Sequence, residues 1–203
     1  MKKNLIRAAL FTGLLATGSA YAASPSAQAL SIPCAGCHGF DGASVGPASP
    51  SLAGLPKEFF VEAMVAYQNG ERPATVMDRI AKGYSLEEIE KMAEFFSGMD
   101  YTPVKQAFDS SLVSAGKTIV ERRRSCNNCH EENGTLGFED VPQIAGQWAT
   151  YVRYSIEDFL HYGRPMSSDK TRPIEALSAE DIDAVAAYLA SKQDPSLYDH
   201  KDN

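Results

Sequence analysis

The chain has 203 residues, 44% hydrophobic and 22% charged. Acidic residues outnumber basic ones 26 to 19, for a formal net charge of −7. A chain this acidic is a poor general nucleic-acid binder, which must displace phosphate counterions with its own cations.

The first element is a targeting segment. Lys2, Lys3 and Arg7 precede or enter an apolar run over residues 5–16, and Ala20-Tyr21-Ala22 is a small-x-small cleavage site. That order predicts a secretory signal peptide over residues 1–22 and a periplasmic protein. The run is too short to cross a bilayer, which takes about 20 apolar residues, and no later segment reaches that length, so no membrane span is expected. Cleavage removes three cations and no acid, so the mature chain is more acidic still.

A short helix is expected over residues 26–31, just after Pro25. The motif Cys34-Ala35-Gly36-Cys37-His38 follows, then a Gly-, Ser- and Pro-rich loop holding Pro50. A helix is predicted over 59–68 and a loop over 74–83 that contains Met77. Ser85 caps the next helix, with Glu88 reaching back and Ile89, Met92, Ala93 and Phe96 at helical spacing. Met99 and Pro103 fall in a linker over 99–110. The second half repeats the plan: a helix over 114–124, then Cys126-Asn127-Asn128-Cys129-His130, Pro142, and a helix over 151–160. Met166 comes next in Arg164-Pro165-Met166, and Ser178 caps a last helix. The tail after Asp194 is polar. No alternating strand pattern appears, so the fold class is all-α.

The halves are copies. Cys34 recurs as Cys126, and Pro50-Ser51-Leu52-Ala53-Gly54 recurs at the same offset as Pro142-Gln143-Ile144-Ala145-Gly146. The capped helices that start at Ser85 and Ser178 repeat one position beyond that offset. Landmarks repeated at one offset mean a duplicated domain, here over residues 23–104 and 105–203. Each copy is small for a stable core, and a large apolar cofactor in each would help fill it.

C-x-x-C-H predicts covalent c-type haem attachment. Cys34, Cys37, Cys126 and Cys129 supply the thioethers, and His38 and His130, each next in sequence, fall beneath the irons. A thioredoxin-like pair would need a βαβ context, and a four-cysteine zinc site would have its pairs closer together. Methionine is the usual sixth ligand of an electron-transfer haem. Met166 is the only methionine beyond His130, and Met77 holds the matching place in order after His38. Met64 and Met92 lie in predicted helices, where packing is the expected role. His161, at a helix end, is expected on the surface, and His200 lies in the polar tail. Pro50 follows His38 at the same spacing as Pro142 follows His130, and at both places a backbone carbonyl can hold the ring. Arg72 and Arg164 precede the methionines as candidate propionate contacts. Arg122-Arg123-Arg124 is a candidate docking patch beside the second haem, a propionate partner, or a solvated helix end. Trp148 is a candidate for the second haem pocket or for ordinary core. No nucleophile elbow, phosphate loop or dinucleotide fingerprint is present.

Each half resembles a class I cytochrome c, with an N-terminal helix, C-x-x-C-H, a proline at this spacing, a loop methionine and a C-terminal helix. In that family a glycine of the first helix packs on an aromatic of the last; Gly116 and Tyr188 match this in the second half. The first half keeps Phe95 but lacks a clear glycine. The whole mature chain is similar to the dihaem cytochrome subunits of flavocytochrome c sulfide dehydrogenases. The stretches that carry this are Cys34-Ala35-Gly36-Cys37-His38-Gly39, Gly46-Pro47-Ala48-Ser49-Pro50-Ser51, Met77-Asp78-Arg79-Ile80-Ala81-Lys82-Gly83-Tyr84-Ser85 and Ala145-Gly146-Gln147-Trp148. The resemblance implies two tandem domains related by a pseudo-twofold and two covalent haems c. It also implies a sulfide-oxidising partner subunit that bears FAD and the reactive disulfide, and a soluble cytochrome or oxidase downstream. A free cytochrome c4-like carrier shares the duplicated plan and is the alternative. A haem enzyme or gas sensor would need one open iron.

Overall fold

The computed structural model describes residues 24–122, 126–165 and 174–199. The signal peptide, Arg123, Arg124, Met166 and His200 lie outside them. Among the described residues there is no strand, only an isolated bridge between Phe138 and Val141.

The first half comprises α1 (Ala27–Ser31), a 3-10 turn Ile32–Cys34, α2 (Ala35–His38), α3 (Lys57–Asn69), α4 (Met77–Ala81) and α5 (Leu86–Ser97). The second comprises α6 (Val113–Glu121), a 3-10 turn Cys126–Asn128, a short helical turn Glu131–Gly134, α7 (Ala149–His161), α8 (Ala179–Ala190) and a 3-10 turn Pro195–Tyr198. Residues 74–83, expected as a loop, contain α4. Met77 therefore opens a helix, and Asp78 in its first turn favours that end of the helix dipole. The helix expected over 114–124 ends at Glu121, where Arg122 turns to extended backbone.

Both terminal helices of the repeat start on full capping boxes. Ser85 accepts from the Glu88 amide while Glu88 accepts from the Ser85 amide, and Ser178 and Asp181 do the same. Each half then closes its own core. In the first, Ile89, Met92, Ala93 and Phe96 of α5 pack with Leu30 of α1 and with Phe60 and Met64 of α3. In the second, Val185, Tyr188 and Leu189 of α8 pack with Ile119, Val120 and Val152. Met92 is fully buried and Met64 nearly so, the packing role expected of them. α6 crosses α8 at Gly116, where an added Cβ would lie 1.9 Å from the Ala184 carbonyl oxygen and 2.7 Å from the Tyr188 Cβ. Only a glycine permits that crossing. The short α1 packs on α5 without one.

The halves meet through hydrogen bonds. Ser51 pairs with Gln147, and its repeat counterpart Gln143 donates to the Gly54 carbonyl at 2.6 Å. The position held by Ser51 in the first half and Gln143 in the second thus contacts the opposite half in both directions. The connecting segment is strapped to the second half: the Tyr101 hydroxyl donates to the Ala145 carbonyl at 2.9 Å and the Val104 amide to the Gly146 carbonyl at 2.8 Å.

Candidate functional site

The two cysteine motifs are held by one loop design used twice. The Leu52 amide donates to the Gly42 carbonyl at 2.7 Å, and the Ile144 amide to the Gly134 carbonyl at 2.9 Å. The Gly54 amide donates to the Phe96 carbonyl at 2.9 Å, and the Gly146 amide to the Leu189 carbonyl at 3.0 Å. These bonds tie the proline-bearing loop to the motif or to the last helix. Gly54 and Gly146 have φ of 71° and 73°, a left-handed turn that favours glycine.

These loops deliver two prolines to two histidines. Nδ1 of His38 lies 2.7 Å from the Pro50 carbonyl oxygen, and Nδ1 of His130 lies 2.8 Å from that of Pro142. A carbonyl only accepts, so Nδ1 carries the proton in both rings. Nε2 keeps its lone pair, which is the form that ligates a metal. His38 is 7% exposed, and burial pushes its imidazole below its ordinary pKa against the opposing pull of the Pro50 carbonyl. The ring is thereby kept neutral, as a ligand must be.

Both histidines line a single cavity of about 1490 Å³ that runs between the halves. All four cysteines border it, as does the partly buried Met77. Arg72 and Arg164 line the cavity too. Arg72 is 6% exposed and its Nε has no hydrogen-bond partner among the described residues, an orphaned donor suited to a carboxylate. The cavity's size, the cysteines that border it, the two histidine–carbonyl pairs and a buried guanidinium all fit a pair of haems.

Several candidates stand elsewhere. Trp148 is not among the cavity-lining residues; its indole Nε1 donates to Ser44 Oγ of the first half at 3.1 Å, so it serves the junction. His161 is exposed at the end of α7, as expected, and Arg122 is exposed after α6. Gln143 and Gln147, unassigned from the sequence, are the buried junction residues. The signal available was their place in the repeat, where the first half has Ser51 and Leu55.

An all-helical pair of C-x-x-C-H domains around one cavity defines a dihaem c-type cytochrome, a protein that transfers electrons rather than acting as a catalyst in its own right. Cytochrome c4 of Pseudomonas aeruginosa is 31% identical over 93% of this chain and 98% of that protein. The chain therefore belongs to the cytochrome c4 family. The family model described as cytochrome c oxidase, cbb3-type, subunit III matches residues 111–189. The cytochrome subunit of sulfide dehydrogenase of Chlorobaculum tepidum is 46% identical over 72 residues, 36% of this chain and 64% of that one. The crystal structure of reduced recombinant cytochrome c4 from Pseudomonas stutzeri superposes with a TM-score of 0.72, at 24% identity, over 81% of this chain and 95% of that one. The fold is accordingly two tandem class I cytochrome c domains. No described helix is long and apolar enough to cross a membrane.

Proposed function

We propose that this dihaem cytochrome takes electrons from an FAD-bearing sulfide dehydrogenase subunit and passes them to a soluble cytochrome or oxidase. The observation that supports the donor is the 46% identity to a sulfide dehydrogenase cytochrome subunit over 72 residues, 36% of this chain, beside a 31% identity to cytochrome c4 that extends over 93% of it. In this reading Cys34 and Cys37, with Cys126 and Cys129, hold the two haems. His38 and Met77 ligate the first iron, and His130 and Met166 the second. The haem supplies a one-electron couple; the chain supplies its position and surroundings. Pro50 and Pro142 fix the imidazole planes through their carbonyls, which raises the basicity of the ligating nitrogen. The domains run over 23–104 and 105–203, and residues 1–22 direct export to the periplasm.

The full-length match to cytochrome c4 supports a second reading, a free carrier without a permanent flavoprotein partner. Gentle purification from the native periplasm separates the two. A flavin-containing subunit that co-purifies, with sulfide-dependent reduction of the haems, is the expected result. A lone dihaem protein indifferent to sulfide would leave the free carrier.

A further inference from the structure

Two cations stand at the junction of the halves. Arg72 follows Tyr67 by five positions and Arg164 follows Phe159 by five, and the two arginines are related by the offset of the repeat. Each guanidinium lies over its own aromatic ring, at 4.7 Å from the Tyr67 centroid and 4.0 Å from that of Phe159. The two then diverge. Arg164 stays in its half, donating from Nη1 to Ser155 Oγ at 2.7 Å, whereas Arg72 crosses the junction and donates from Nη2 to the Tyr151 hydroxyl at 3.3 Å.

Among the described residues neither arginine has a carboxylate within salt-bridge distance. Asp158 is the nearby acid, and burial raises its pKa while both arginines lower it. Burial, with the repulsion of Arg72, pushes Arg164 down to about 10. Two cations shielded from water are costly unless an anion is paired with them. Planar guanidinium forks suit carboxylates. Both arginines border the cavity that joins the two histidine sites.

We propose that Arg72 and Arg164 form one shared carboxylate site at the junction, taking a propionate from each haem, so that each arginine sets the reduction potential of both haems. This rests on the dihaem reading. A cation held near a haem favours the reduced state, which carries one more negative charge. Because the site is shared, its charge acts on both irons rather than on the nearer one alone.

The test is a potentiometric titration of the full-length holoprotein, with the two haems distinguished by their paramagnetically shifted methyl resonances. Arg72→Gln and Arg164→Gln are each expected to shift both midpoint potentials downward. Arg153→Gln, an ion-paired residue of α7, the helix that carries Tyr151 and Ser155, is expected to shift neither. Arg72→Lys keeps the charge and is expected to return both potentials toward the wild-type values. A shift confined to one haem, no shift, an equal shift in Arg153→Gln, or an Arg72→Lys protein as low as Arg72→Gln would each overturn the shared site. A haemochrome assay of the wild-type protein checks the dihaem reading separately: fewer than two haems per chain overturns that reading and the proposal with it.

Discussion

Gln147 pairs both ends of its side-chain amide with the backbone of Ser51, 96 residues away in the other half. Its Oε1 accepts from the Ser51 amide at 2.8 Å, and its Nε2 donates to the Ser51 carbonyl at 3.2 Å. Gln147 is 2% exposed and Ser51 fully buried. The side chain acts as a piece of strand laid against the opposite domain.

Removing that amide leaves two buried backbone groups without partners. Gln147→Leu is expected to destabilise the holoprotein by about 1–3 kcal/mol. Gln147→Glu is expected to be worse, because it adds a buried charge while deleting the donor. Guanidinium titrations followed at the Soret band measure both; wild-type midpoints would show that the pairing contributes nothing.

The helix crossing at Gly116 makes a second prediction. Gly116→Ala places a methyl 1.9 Å from the Ala184 carbonyl oxygen, so α6 and α8 must separate. Overpacking of this kind costs about 1–3 kcal/mol or more. Gly36→Ala meets nothing within 4 Å and serves as the control, expected to be neutral. Equal stability of the two variants would contradict the close crossing.

Capping sets part of the acid response. Hydrogen bonds from the Ser178 amide and hydroxyl hold Asp181 below its ordinary pKa of 3.8, and those from Ser85 hold Glu88 below 4.5. A carboxylate depressed by folding contributes stability fully above its ordinary value, and that contribution disappears as pH falls through the folded value. Asp181→Asn should therefore be less stable than wild type at neutral pH, with the difference narrowing below pH 3.8. Thermal melts from neutral pH into the acid range test the sign, which a difference growing toward acid would reverse.

The methionine assignments are separable by spectroscopy. Met166→Ala and Met77→Ala should each abolish the methionine-to-iron charge-transfer absorbance of one haem and leave the other, halving the band. Retention of the full band in either variant would remove that methionine from the ligand set.

Much of the functional layout was legible because it depends on local spacing. The cysteine motifs, the prolines that follow them at equal spacing and the two capping boxes are short-range patterns, and the repeat places each of them twice. Gly116 was legible only through the family resemblance, which pairs a glycine of the first helix with an aromatic of the last, here Tyr188. What escaped the sequence was long-range. Trp148 reads equally as a pocket residue or as core next to Gly146, yet its partner Ser44 is 104 positions away. Met77 reads as loop because it opens a helix of only five residues, too few for a periodicity to register. The crossing of Arg72 to Tyr151 depends on how two domains dock, which no single-helix pattern encodes.

The junction also has a consequence for how the protein behaves in salt. Every salt bridge among the described residues stays within one half, and the polar contacts that join the halves include hydrogen bonds from Gln143, Gln147, Trp148 and Arg72. Dissolved ions screen exposed charge pairs far more than buried hydrogen bonds. A rise in ionic strength that weakens an electrostatically steered encounter with a redox partner would thus leave the spacing between the two haems unchanged. The internal electron path and the external ones answer to different variables, so the protein can let go of a partner without loosening its own wiring.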